Sequence, residues 1–278
     1  MKALYDEVSQ QCSRNITRTY STSFAMGIYC LDKKLRQPIY SIYGFVRLAD
    51  EIVDTFDTYD QEALLGDFRR ETFRAIANGL SVNPVLHSFQ ETVNRFNIET
   101  DLIETFLDSM AMDLERQVHD QRSFERYILG SAEVVGLMCL WVFCEGDGEL
   151  YAQLKRPAMH LGAAFQKVNF LRDLNFDYNT LQRVYFPDLE MDNFTGEKKA
   201  AIEGDIRADF NKALEGIKCL PRSARFGVYV AYAYYLSLLA KIERYPVQRL
   251  LSQRLRLPSY QKFILLVRSF FSFKRGIL

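Results

Sequence analysis

The sequence is short of the residues that mark several functional classes. Three histidines and five cysteines stand among 278 residues, with no Cys-x-x-Cys pair, so no zinc signature can be assembled. The odd cysteine count predicts buried free thiols in a reducing compartment rather than a disulfide framework. Glycine (14) and proline (7) are scarce, which disfavours a turn-rich all-β fold. Neither sign of charge is in excess: Lys plus Arg and Asp plus Glu both number 35. That excludes a global basic field, and no nucleic-acid partner is expected. The longest uncharged run, Phe226–Ala240, falls short of the ~20 residues of a bilayer span and holds four tyrosines, so it predicts a buried core helix. The opening MKALYDEVSQQCSR has no apolar signal-peptide core. The expected location is the cytoplasm.

What is present is a helical pattern over nearly the whole chain. Apolar residues recur at spacings of three and four from Leu4 onward, predicting one all-α domain over 1–278 with roughly ten helices. Pro38 reads as a first-turn proline. Asp60, Asn83-Pro84, Thr100, Ser123 and Gly146-Asp147-Gly148 read as breaks or caps. The longest stretch without helical period is 178–195, and long loops in compact domains are often functional. The segment 263–278 mixes aromatics with Arg268, Lys274 and Arg275. It is expected to be a final core-packing helix, with peripheral membrane contact as the alternative.

Two helices carry polar stripes. In the first, Tyr43, Arg47, Asp50 and Asp54 are spaced four, three and four apart and share one face. In the second, Gly162, Gln166, Asn169, Asp173 and Asp177 repeat at four, three, four and four. Each stripe ends in a D-x-x-x-D pair. Two carboxylates one turn apart repel unless a cation neutralises them. All-oxygen ligands suit Mg²⁺, which takes one or two carboxylates and keeps waters for a phosphate partner. A solvated face is the competing explanation for the first stripe alone. The second helix is so apolar elsewhere that its stripe should be buried, and buried polar groups need partners. Facing stripes thus point to a Mg²⁺–diphosphate clamp.

The motifs resemble those of the head-to-head prenyl synthases: phytoene, squalene and dehydrosqualene synthases. The match runs through Ser21-Thr22-Ser23-Phe24 and Tyr43-x-x-x-Arg47-x-x-Asp50-x-x-x-Asp54. It continues with Tyr127, Ala132, Val135 and Gly136. Then come Leu161-Gly162-x-Ala164-x-Gln166-x-x-Asn169-x-x-Arg172-Asp173-x-x-x-Asp177 and Arg183-Val184-Tyr185-Phe186-Pro187. Tyr20 stands where the family often has His or Lys, and Glu133 where Gly is frequent. The resemblance implies an isoprenoid-synthase-type helical bundle around a central active-site cavity. It implies Mg²⁺, with Mn²⁺ as a substitute, held by Asp50, Asp54, Asp173 and Asp177. It further implies phosphate contacts from Arg47 and Arg172, and hydrogen bonds from Ser21, Ser23, Gln166 and Asn169. Tyr43, Tyr127 and Tyr245 would face a carbocation. Arg183 and Tyr185 would form a lid, and Phe24 and Ile28 would line the hydrocarbon tunnel. Asp113 resembles a recurring family aspartate, with pairing to Arg116 or another arginine as the alternative. His160 is expected to be a core or rim histidine.

The implied activity is condensation of two geranylgeranyl diphosphates to phytoene through a cyclopropylcarbinyl diphosphate, an early step of carotenoid biosynthesis, without NADPH. Squalene or dehydrosqualene synthesis from farnesyl diphosphate is the nearest rival. A catalytically silent assembly subunit is the rival from another class. Prenyl diphosphates are the expected partners, with downstream carotenoid enzymes as further ones.

Overall fold

The computed structural model describes residues 1–115, 119–187, 189 and 193–275. Among them are thirteen α-helices and no strand. In chain order they are α1 (Lys2–Tyr20), α2 (Thr22–Tyr29), α3 (Lys33–Asp54), α4 (Gln61–Asn78), α5 (Pro84–Phe96), α6 (Thr100–Met112) and α7 (Gln121–Ile128). After a π-helical segment at Leu129–Glu133 come α8 (Val134–Phe143) and α9 (Gly148–Phe176). A π-helical turn, Asp177–Leu181, closes α9. The chain then forms α10 (Gly196–Cys219), α11 (Arg222–Glu243), α12 (Val247–Ser252) and α13 (Ser259–Lys274).

Two helices organise the interior. The Asp32 side chain caps α3 by accepting the Lys34 N–H. Pro38 therefore lies inside the helix and not in its first turn, contrary to the expectation. Its missing N–H would have bonded the Lys34 carbonyl, so α3 lacks one helical hydrogen bond near its start. Phe45 of α3 is fully buried and stacks on Phe89 with centroids 3.9 Å apart; Phe68 and Phe106 flank it at 5.4 Å. The Asp147 side chain caps α9 by accepting from Glu149 and Leu150. Two glycines set how closely neighbours approach. A Cβ on Gly162 would fall 2.6 Å from the Ala132 carbonyl oxygen, and one on Gly216 2.2 Å from Pro157 Cβ. The first contact presses the π-helical segment onto α9; the second seats α10 on it.

Several local expectations shift. Glu99 and Asp120, not Thr100 and Ser123, occupy the N-cap positions of α6 and α7. Gln121–Phe143 is long and apolar enough to cross a membrane, with mean hydropathy 1.4, yet half of it is buried in the protein. All five cysteines are free, but only Cys144 is fully buried and Cys219 is exposed. α13 packs on the core through one side only: Leu265 lies against the core and Ser269 is its one buried residue, while Phe263 and Phe271 are more than half exposed. Arg116 and residues 276–278 lie outside the described residues, as do 188 and 190–192 of the long loop.

Candidate active site

A cavity of about 420 Å³ runs between α2, α3, α8, α9, α10 and α11. Its lining changes character along the two central helices. On α3 it passes from Ile39 and Ile42 to Tyr43, Arg47 and Asp50; on α9 from Leu154 and Pro157 to Gln166, Asn169 and Arg172. At 1.5 Å per residue the α9 wall spans roughly 27 Å. Both helices thus present their polar residues in their C-terminal halves, leaving an apolar tunnel behind a polar mouth. Apolar periodicity buries one face of each helix, and the polar stripe falls on the cavity side.

Of the expected residues, Ser21, Phe24, Ile28, Tyr43, Arg47, Asp50, Tyr127, Gln166, Asn169 and Arg172 line the cavity. Phe24, Phe165 and Tyr235 form an aromatic wall, with Phe165 and Tyr235 stacked at 4.1 Å and Tyr43 5.7 Å from Phe24. Tyr235 donates to Asn169 Oδ1 at 3.2 Å. Ser21 Oγ caps α2 by accepting the Phe24 N–H at 3.2 Å. Arg47 lies over the Tyr20 ring at 4.4 Å, pairs with Glu51, and leaves its buried Nε without a partner.

The second set sits beside the mouth as one network. Arg183 Nη1 donates to Asp54 Oδ1 at 2.6 Å, and Nη2 donates to the Val53 and Asp113 carbonyls. Asp113 accepts from Tyr127 at 2.7 Å and from Tyr185 at 3.0 Å. Burial pushes the Asp113 carboxyl up to about 6, outweighing the nearby Arg183. Tyr185 is buried, stacked on Phe170 at 4.1 Å. Asp173 is held by Arg172 and by Arg254, the latter at 2.5 Å. In this arrangement Arg172 meets a carboxylate, where the resemblance implied a phosphate.

The donor set fits a hard divalent cation. Among the described residues, Asp50 has no closer cation than Arg47 at 3.8 Å. Burial, then the charge of Asp54, pushes its carboxyl up to about 7. Asp177 is pushed up to about 8 by burial, then by Asp173 and Asp54. The charge of Asp54 acts on both Asp50 and Asp177, and that of Asp173 on Asp177, so the two aspartate pairs share one region. Oxygen-only donors of this kind suit Mg²⁺ or Mn²⁺.

Comparison with known proteins agrees with the geometry. A family model described as squalene/phytoene synthase matches residues 17–261. The chain belongs to the squalene/phytoene synthase family. Members of this family are prenyltransferase-type enzymes that use prenyl diphosphates. The chain is 27% identical to a phytoene synthase of Arthrospira platensis, over 93% of this chain and 91% of that protein. It is also 27% identical to a presqualene diphosphate synthase of Zymomonas mobilis, over 94% and 84%. A crystal structure of a dehydrosqualene synthase in complex with ligand superposes with a TM-score of 0.83 at 22% identity, over 97% and 98% of the two chains, which establishes the shared fold.

In this family member Asp54, Asp173, Asp177, Arg183 and Tyr185 sit beside the cavity without lining it, and two further expected site residues fall elsewhere. Tyr245 lies in the turn beyond α11, its ring 5.5 Å from the Arg249 guanidinium, and is not on the cavity wall. α11 ends two residues too early to carry it there, and Tyr235 fills that wall instead. Ser23 is half-buried on α2 and does not line the cavity. Tyr235 and Arg254 were missed; one lies in a run with other tyrosines, the other outside any helix, so no spacing singles them out. Glu133 stands behind Gly162, pushed up to about 7 by burial and then Asp209. His160 is partly exposed and bonds Asp209 at 2.8 Å, a rim position.

Among the described residues, the one group of three possible ligands whose atoms lie within 4.8 Å of one another is Asp6, His87 and Glu91, so the four aspartates are more widely spread than that. There His87 Nδ1 accepts the Ser81 N–H at 3.3 Å, so Nε2 carries the proton donated to Asp6 at 2.8 Å. Lys2 also occupies Asp6, and the group ties α1 to α5.

Proposed function

We propose that the chain, acting as one domain over residues 1–278, condenses two geranylgeranyl diphosphates to phytoene. The observation that carries the reading is the cavity itself: a polar mouth lined by Asp50, with Asp54, Asp173 and Asp177 beside it, continued by an apolar tunnel. A diphosphate head fits the first and a prenyl chain the second.

The residues divide the work. Asp50, Asp54, Asp173 and Asp177 would hold Mg²⁺, or Mn²⁺, which supplies Lewis-acid neutralisation of the leaving diphosphate. The partnerless Arg47 Nε is placed to donate to a diphosphate oxygen. Arg172 would move from Asp173 to phosphate as that carboxylate turns to a cation. Ser21, Gln166 and Asn169 orient the head groups. The C1–O bond of one substrate breaks, its electron pair leaving with the diphosphate. The double bond of the second substrate attacks the allylic carbon, and loss of a proton closes a cyclopropane. The second diphosphate then leaves, the skeleton rearranges, and a second proton is lost. The rings of Phe24, Tyr43, Phe165 and Tyr235 present electron-rich faces to the cation and exclude water.

No NADPH is required on this reading, because proton loss ends the sequence. We place the protein in the cytoplasm, in peripheral contact with a membrane, handing an apolar product to downstream carotenoid enzymes. Two other readings stand against it. The presqualene diphosphate synthase relative, as similar as the phytoene synthase, favours a farnesyl diphosphate substrate and a squalene-type product. A silent assembly subunit would release no diphosphate. Product analysis with farnesyl and geranylgeranyl diphosphate, each with and without NADPH and with EDTA, decides between them. A forty-carbon product without NADPH, abolished by EDTA and restored by Mg²⁺, supports the proposal; a thirty-carbon main product overturns it.

A further inference from the structure

The neutral chain hides a strong asymmetry. Its last 35 residues, from Arg244, hold eight Lys and Arg and no Asp or Glu. The rest of the chain carries 27 Lys and Arg against 35 Asp and Glu. Most of the basic segment is α12, α13 and their connection. On α13 the exposed apolar side chains are Tyr260, Phe263, Ile264, Val267, Phe270 and Phe271. Their spacing of three and four makes one continuous outward stripe. Arg268, Lys274 and Arg275 are exposed on the same helix. Single exposed hydrophobics are ordinary, but six large ones in one stripe are not.

The inner side of α13 is already spoken for. Phe273 packs on Phe226 of α11 at 5.2 Å, Phe270 at the edge of the stripe meets the same ring at 6.1 Å, and Lys262 donates to Thr22 Oγ1 at 2.8 Å. The opposite side of α11 supplies Gly227, Val228, Ala231 and Tyr235 to the cavity. The stripe therefore lies about two helix diameters, ~20 Å, from the cavity wall.

We propose that the outward face of α13 docks on an anionic lipid bilayer. Aromatic and aliphatic side chains enter the interface while the guanidinium and ammonium groups meet lipid phosphates. A helix with bulky apolar residues on one face and cations without acids beside them is chemically matched to that surface. The absence of any acidic residue over the segment removes the repulsion that would oppose docking. A nucleic acid would be served by the charges but not by the stripe, and a second copy by the stripe but not by the like charges of Arg268, Lys274 and Arg275. This rests on the peripheral membrane contact proposed above, gives that contact its surface, and stands whichever prenyl diphosphate is used.

The test is flotation of the full chain with phosphatidylcholine vesicles, with and without about 30 mol% phosphatidylglycerol, at low salt and at about 0.5 M NaCl. Binding should be at least about ten-fold stronger on the anionic vesicles and should fall with salt. Two multiple variants separate the contributions. Phe263→Ser with Ile264→Ser and Phe271→Ser should lose about ten-fold or more of the binding at both salts. Arg268→Glu with Lys274→Glu and Arg275→Glu should lose about ten-fold or more at low salt only. Circular dichroism and diphosphate release from detergent-solubilised substrate should stay unchanged in both, since none of these residues touches the cavity. If the serine variant unfolds, the charge variant decides alone. Equal binding by wild type and folded variants, no preference for anionic vesicles, or a wild-type dimer that the serine variant abolishes would each overturn the proposal.

Discussion

Arg183 donates to Asp54 Oδ1 at 2.6 Å, across 129 residues of sequence. The same guanidinium reaches the Val53 and Asp113 carbonyls. One side chain thus fastens the segment after α9 to the end of α3 and to the residue that caps α6. The fork of donors makes this possible; an ammonium offers a point charge and a different reach.

Replacing Arg183 with Ala should therefore do more than open a loop. It leaves Asp54 without its countercharge and two carbonyls without donors. The expected loss is about 1.5–3 kcal/mol of stability, since charged hydrogen bonds are removed from a partly buried site. Diphosphate release should fall at least about ten-fold, given the cost of displacing an aligned group. Arg183→Lys should recover only part of either. Urea unfolding and a diphosphate-release assay read both; wild-type values for the alanine variant would remove the clamp from the argument.

The aspartates give a pH-dependent test. Asp50 and Asp177 have folded values raised to about 7 and about 8 from an ordinary 3.8. The folded state therefore holds protons that the unfolded state has released between about pH 4 and pH 8, and stability falls as pH rises through that window. Asp50→Asn and Asp177→Asn should raise Tm at pH 8 without divalent cation. Asp50 keeps 31% of its side chain exposed, so solvent screening limits the gain to about 1 kcal/mol, or ~2–4 °C. The gain should vanish near pH 4. Added Mg²⁺ should raise the wild-type Tm at pH 8 and raise that of the variants less. The same substitutions, like Asp54→Ala and Asp173→Ala, should lose most turnover while staying folded. A variant Tm that shows no pH dependence relative to wild type would contradict the carboxylate assignment.

Legibility in the sequence follows period and register. α3 and α9 were readable because one face is apolar and the other repeats polar residues at helical spacing, which places Arg47, Asp50, Gln166 and Asn169 on the cavity without any tertiary information. Asp113 was half legible: an acid among apolar neighbours signals a buried partner, but the partners, Tyr127 and Tyr185, come from two distant elements. Tyr245 failed because helix ends are set by local capping, and α11 stops at Glu243. Arg254 was invisible, since its pairing with Asp173 is made by a non-helical connection. The outward stripe of α13 has the same composition as a core helix; only tertiary packing reveals which side is left uncovered.

Tyr185 links the loop to the reaction. Its ring is stacked on Phe170 and its hydroxyl donates to Asp113 at 3.0 Å. Tyr185→Ala should remove a plug between solvent and the cation. Allylic alcohols should then rise relative to hydrocarbon product, because water captures the cation. Tyr185→Phe keeps the stack and loses the hydrogen bond, so it should leak less. Chromatography of extracted products measures the ratio, and an unchanged ratio in the alanine variant would return the loop to a structural role.

Chain length should respond to Ile28. This residue is 4% exposed and lines the apolar part of the cavity. Its neighbour Gly27 limits any retreat of α2, because a Cβ there would fall 3.3 Å from the Gly227 carbonyl oxygen of α11. A larger ring at position 28 must therefore take its volume from the cavity and not from the helix interface. Overpacking of this kind costs about 1–3 kcal/mol, enough for roughly ten- to hundred-fold discrimination against a chain one isoprene unit too long. Ile28→Phe should thus shift preference from geranylgeranyl toward farnesyl diphosphate, seen as a fall in kcat/KM for the longer substrate with little change for the shorter. Competition between the two substrates in one reaction gives the ratio directly. A ratio that stays at the wild-type value would move the length-setting wall away from α2 and toward other large side chains of the apolar lining, such as Leu154 or Leu220.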